Sequence, residues 1–176
     1  TIGALLQKEG YFSRAYHNNI YTFYDRHKTH VNLGYEQFIG MSNGMEEGVK
    51  DVWPQSDLEM FQYVIPQYLE QSRPFSLYFM SVSGHSNYSR GGNAMSRKNY
   101  SVVEDMDYSE QLKCYIAAKL ELEYALQFTL QAKGAPLPTP AFSMFPYVVA
   151  VLVLLFSIGK NTDPATLGVP YERDKR

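Results

Sequence analysis

Between Pro74 and Gly84 the sequence reads FSLYFMSVS, a short run rich in apolar and aromatic residues and bounded by two turn formers. A strand with one wet face alternates apolar and polar residues. A nearly continuous run needs cover on both faces, which is how strands sit in helix-covered sheets. The run therefore predicts a buried central strand over 75–83, and with it an α/β fold. The start of the chain agrees. Residues 2–9 read as the end of an amphipathic helix, with Leu5 and Leu6 apolar and Gly10 as its stop. YFSRAYH then predicts a short strand ending at His17, with NN as the turn after it. The order helix, glycine, strand, loop is that of an α/β domain.

Further on, TFYDRHKTHVNLGYEQFIG predicts a polar-capped turn, a short helix or irregular loop, and a strand around Gln37 to Ile39. Residues 41–55 are loop-like. Ser56 and Glu59 form an S-x-x-E capping box, expected to satisfy two orphan backbone donors. The helix it opens has Leu58, Phe61, Ile65, Tyr68 and Leu69 as apolar positions, and Pro66 should kink or divide it. After a polar loop over 84–108, one long helix is expected over 109–132, capped by Ser109 and packed on the sheet. Its apolar positions are Leu112, Tyr115, Ile116, Leu122, Leu126 and Leu130.

At 176 residues the chain has room for one domain with a core, or for a piece of a larger one. Sixteen basic residues against eighteen acidic ones leave a formal charge of -2 and form no stripe, which argues against a nucleic-acid binder. The single cysteine, Cys114, excludes a disulfide framework, and its helical setting predicts a core or half-buried thiol. Fifteen tyrosines and ten phenylalanines suit half-buried sheets and wet clefts alike. The N-terminus TIGALLQKEGY has no initiator methionine, basic n-region or apolar h-region, and reads as starting inside an element. From Ala135 prolines cluster around an apolar run, Phe142 to Ile158. That run reads as buried strands, as a transmembrane helix of minimal length, or as a non-native C-terminus.

Functional groups of α/β domains gather at the carboxyl ends of strands, where loops meet over a cleft. His85 stands at such an end, one residue past Gly84, and His17 ends the earlier strand. A histidine so placed is either a ligand-facing group or an ordinary loop residue. Arg26, in FYDR, offers a planar fork matched to phosphate or carboxylate; a surface arginine beside Asp25 is the plainer reading. His27 and His30 stand three apart, a spacing that suits two metal ligands on a helix, but no third donor completes the set.

LLQKEGYFSRAYHNNIYTFYDRHKTHVNLGYEQFIG, WPQSDLEMF, PFSLYFMSVSGHSNY and YIAAKLELEYAL follow in that order over about residues 3–133. Together they resemble the lipoteichoic acid synthase family, sulfatase-like phosphoglycerol transferases of the alkaline phosphatase superfamily. The resemblance implies an α/β sandwich of helices around a mixed sheet, here incomplete. It divides the chain into a partial catalytic domain, 1–133, and a divergent tail, 134–176.

The family is extracellular and held on the bacterial cell membrane, through an anchor expected upstream of this chain. In it a threonine nucleophile beside Mn²⁺ or Mg²⁺ takes phosphoglycerol from phosphatidylglycerol and passes it to a growing polymer. The phosphatidylglycerol head group and the glycerol-phosphate polymer are the implied partners; nucleic acid is not one.

The family's aromatic-x-Arg motif falls on Tyr24 and Arg26, and its histidine after the central strand falls on His85. These three are the expected substrate-binding residues. The nucleophile and first acidic ligand belong to segments before Thr1. The family's adjacent Asp-His pair after the long helix is missing, since no aspartate here precedes a histidine. The chain is therefore expected to hold no catalytic metal and to be inactive by itself. The alternatives are a sulfatase or phosphoethanolamine transferase of the same superfamily, or a non-catalytic glycan-binding module suggested by the aromatic richness.

Overall fold

β1 (Phe12–Ile20) is the middle strand of a three-stranded parallel sheet, with β2 (Gln37–Met41) on one side and β3 (Phe75–Met80) on the other. This is read from a computed structural model that describes residues 1–134 and positions 144, 148, 151 and 152. The chain divides into two compact units, Thr1–Pro136 and Leu137–Arg176. The sheet and its helices belong to the first.

The strand expected at the centre is not the central one among the described residues. Residues 75–83 are not central: β3 stops at Met80, lies at the edge and is only half-buried. The central strand is β1, which does not end at His17 but continues through Asn18 and Asn19 to Ile20. Its burial is hidden in the sequence because Ser13, His17, Asn18 and Asn19 are polar yet buried. They sit there because they are bonded. Asn18 Nδ2 donates to Asp57 Oδ1 (2.8 Å), and Asn19 Oδ1 accepts from the Ile20 amide (2.6 Å).

Register fixes which side chain goes where. Ala15 pairs with Phe38 and Tyr78, and His17 with Met80. Strand alternation then sends Tyr16 to one face and His17 to the other. On the Tyr16 face lies the core, with Met60, Phe61 and Val64 of α3 (Asp57–Val64) and the rings of Tyr68 and Phe79. On the His17 face, α2 (Arg26–Asn32) brings His30 against Phe38 and Tyr78.

Before β1, α1 (Ile2–Lys8) ends at Gly10 as expected, where φ is +80°. Its buried position is Gly3, however, while Leu5 is exposed. A Cβ on Gly3 would lie 2.8 Å from the Gly34 backbone, so glycine is what lets α1 approach the end of α2.

Ser56 caps α3, its Oγ accepting from the Glu59 amide at 3.0 Å. The reciprocal half of the box is absent. The Glu59 carboxylate accepts from the Lys50 amide (3.0 Å) instead, so it ties the preceding loop to the helix. α3 stops at Val64 and gives way to a 3₁₀ turn, Ile65–Tyr68, as Pro66 dictates.

The long helix is present as α5 (Glu110–Ala132), capped by Ser109. It packs chiefly on α3 and α4 (Ala94–Lys98) rather than on the sheet. Its buried positions are Cys114, Ala117, Ala118, Glu121 and Ala125, while Leu112, Tyr115, Leu122, Leu126 and Leu130 are exposed. The small residues allow close helix approach, and Glu121 needs the partners found there. Fully buried, it accepts from Lys98 Nζ (2.7 Å), Asn99 Nδ2 (3.0 Å) and Ser56 Oγ. Cys114 is buried as expected, and burial pushes its thiol above the usual range.

No helix among the described residues is long and apolar enough to cross a membrane. In the second unit Met144, Val148, Val151 and Leu152 are helical; the rest of the run 142–158, and with it the choice among its three readings, lies outside the described residues.

Candidate functional site

The strand order β2-β1-β3 sends the chain from β1 to one neighbour and then back across to the other. In doubly wound sheets this reversal opens a crevice at the carboxyl ends of the strands. The loops leaving those ends carry Phe23 to Arg26 after β1, Asp51 to Gln55 after β2, and Ser83 to His85 after β3. Between the first two lies an open cleft of about 820 Å³, lined among others by Asn19, Phe23, Met41, Asp51, Trp53 and Gln55.

His17 organises the β1 end. Its Nδ1 lies 2.8 Å from the Met80 carbonyl, which can only accept, so Nδ1 carries the ring proton. Nε2 is left with a lone pair, and Arg26 Nη1 donates to it at 2.8 Å. The imidazole is therefore neutral. Burial holds its pKa below the usual histidine value, and the charges of Arg26 and His30 add to this, against the opposing Met80 bond.

Arg26 is half-buried, with its guanidinium carbon 5.5 Å from both the Phe23 and Tyr24 ring centres. Tyr24 and Asp25 both adopt left-handed backbone, with φ of 53° and 52°. For non-glycine residues this costs about 1–3 kcal/mol each. The strained turn is what doubles the chain back so that α2 begins at Arg26. Asp25 is not the partner of Arg26. It pairs with Lys28 at 3.0 Å on the surface, and no carboxylate among the described residues pairs with Arg26. Tyr24 is 77% exposed, and the ring of this turn that lines the cleft is that of Phe23.

His85 sits exposed in the loop after β3. The Gly84 carbonyl beside it accepts from Lys119 Nζ and Tyr88 Oη, both at 3.0 Å. Asn93 Nδ2 donates to the His85 carbonyl (2.8 Å). The ring meets Trp53 edge-to-face with centres 5.0 Å apart, and Nδ1 donates to the Ser86 carbonyl at 2.7 Å. Nε2 has no partner among the described residues. Arg26 and His85 do not touch; each packs on a ring that lines the same cleft, Phe23 for one and Trp53 for the other.

Asp57 ties the two strand ends together. Its carboxylate accepts from Asn18 Nδ2, from the Val82 amide (3.1 Å) and from the Ser83 hydroxyl. Burial raises its pKa, opposed by these bonds. Sequence reading missed Asp57, Phe23, Trp53 and Gln55. Asp57 resembles any first-turn acid behind a capping serine, and the other three stand in loops without a pattern.

Among the described residues no group of three or more His, Cys, Asp or Glu side chains is placed to hold a metal ion. His30 Nδ1 bonds to the Arg26 carbonyl (2.9 Å), and the His27 ring packs on Tyr21. Among the described residues no donor set fits the divalent ion implied by the resemblance.

The sulfatase family model matches residues 1–132. The chain belongs to the sulfatase family. Among solved structures, the crystal structure of the lipoteichoic acid synthase LtaP from Listeria monocytogenes is similar to this sulfatase-family chain. The TM-score is 0.56 at 22% identity, over 77% of this chain and 33% of that one. The sulfatase-family chain therefore spans well under half of that structure, and the likeness at this identity is one of fold. No curated protein matches it.

Proposed function

We propose that the chain carries the anion-binding part of a metal-dependent phosphoglycerol transferase. Its parent would act on phosphatidylglycerol at the extracellular face of the bacterial membrane, in the synthesis of lipoteichoic acid or a related polymer. The observation that carries this reading is the seat of Arg26. A half-buried guanidinium at the carboxyl end of the central strand spends one N–H on a neutral imidazole and meets no carboxylate among the described residues. Its remaining N–H groups suit a phosphoryl group. Tyr24 flanks the guanidinium, and the free Nε2 of His85 offers a second contact from the neighbouring loop. The name of the similar LtaP supports lipoteichoic acid as the product class. Nucleophile and metal ligands would be supplied by other segments of the parent, so the chain alone is expected to be inactive.

In the full-length parent, Arg26→Ala should weaken substrate binding roughly 10- to 100-fold, the effect of losing a charge-assisted hydrogen bond of about 1.5–3 kcal/mol. His85→Ala should lower transfer as well without shifting the thermal midpoint appreciably, whereas Arg26→Ala also leaves the buried His17 Nε2 without its donor and should lower the midpoint without unfolding the domain. Release of diacylglycerol from phosphatidylglycerol vesicles measures the activity. Normal turnover in both variants would remove the assignment.

A further inference from the structure

The cleft beside Arg26 has the opposite electrostatic character. Glu46 and Asp51 line it, and no lysine, arginine or histidine does. Asp51 takes part in no hydrogen bond or ion pair among the described residues. Glu46 is already held by backbone amides, Oε2 accepting from Gly44 at 2.9 Å and the carboxylate drawn also by those of Glu46, Ser42 and Asn43, which keeps it ionised. In the cleft wall Gln55 is only 5% exposed, yet its Oε1 has no hydrogen-bond partner. Phe23 and Trp53 contribute rings that are 41% and 46% exposed.

These features ask for the same kind of ligand. An anion would face two carboxylates. A neutral polyol gains little from a carboxylate over what water already provides. A primary ammonium gains from the charges, from the aromatic faces and from the Gln55 acceptor together. One nearby group opposes it: Arg26, whose guanidinium also lies against Phe23. That opposition falls away when an anion neutralises Arg26.

We propose that this cleft is a subsite for a primary ammonium group, on a free small molecule or a lipid head group, and that it fills cooperatively with an anion at Arg26. Only the cooperativity rests on the anion-binding reading given above. Linkage makes it reciprocal, so each ligand should strengthen the other by the same factor.

Trp53 is the only tryptophan in the chain, so its emission reports on this cleft directly. The full chain would be titrated with ethanolamine, and with glycerol as a neutral molecule of similar size, each with and without inorganic phosphate. Ethanolamine should give a saturable change and glycerol none. Asp51→Asn should weaken the ethanolamine response roughly tenfold, the effect of one nearby charge. Phosphate should strengthen it in the wild type but not in Arg26→Ala. Vesicles of phosphatidylglycerol with and without phosphatidylethanolamine separate the sources: a response to the mixed vesicles alone assigns the site to a lipid head group. Equal responses to glycerol and ethanolamine, an unchanged Asp51→Asn, or no saturable change with either amine source would overturn the site. Saturation by ethanolamine that is indifferent to phosphate would overturn the cooperativity while the ammonium site stands, and the anion seat is judged by the turnover of the Arg26→Ala and His85→Ala variants.

Discussion

Protonating His17 would remove the acceptor that Arg26 uses and place two cations within hydrogen-bonding distance. The sign of the resulting pH dependence follows from linkage. The folded-state pKa lies below the ordinary 6.5, so the unfolded chain takes up this proton first as pH falls. The contribution of His17 to stability is complete above about pH 6.5, declines below it, and is gone once pH is under the folded pKa. Asp57 has the opposite sign, because burial makes the folded state hold its proton more readily, so it does not produce this decline. Thermal midpoints measured from about pH 8 to about pH 5 should fall in the wild type and fall less steeply in His17→Gln. Parallel profiles would contradict the arrangement. Tyr24, Arg26 and His85 come to notice in the sequence as a set only through the family motif they resemble. The work of His17 was not legible there, because its partners are a carbonyl chosen by strand register and a guanidinium brought back by two left-handed residues.

At the scale of elements, α5 shows why a helix is easier to foresee than its buried face. The periodicity that announces residues 109–132 as helical carries two stripes, one of leucines and one of small residues. Contact with α3 and α4 selects the small stripe, since Ala117, Ala118 and Ala125 let the backbones close up. Ala118→Leu should therefore destabilise by about 1–3 kcal/mol through overpacking. Leu126→Gln, on the exposed stripe, should change stability by no more than about 0.5 kcal/mol. Urea denaturation of the two variants compares them directly, and the reverse ranking would mean that the leucine stripe is the covered one. The strands carry a related lesson. FSLYFMSVS reads as central because it is apolar, but burial at the centre went to a strand whose polar groups found partners in Asp57, Met80 and Arg26.

For the molecule as a whole, the α/β class and most of the chain order could be read directly from patterning, while the sheet order could not, because no local signal says which strand gains neighbours on both sides. β1 gained them, and amide hydrogen exchange should find Ala15 to His17 among the slowest-exchanging backbone positions of the first unit. Faster exchange there than in β3 would contradict the topology. The bond from His17 to Met80 has a consequence of its own. Arg26 is seated on a ring whose other nitrogen grips the backbone of an edge strand, so the anion binding proposed for Arg26 would depend on that strand staying zipped to its neighbour. Mild denaturant that frays β3 should abolish phosphate binding while the far-ultraviolet ellipticity, dominated by the helices, is still unchanged. Such a protein would lose its ligand first and its shape afterwards, and an occupied Arg26 would act as a clasp that holds the edge closed.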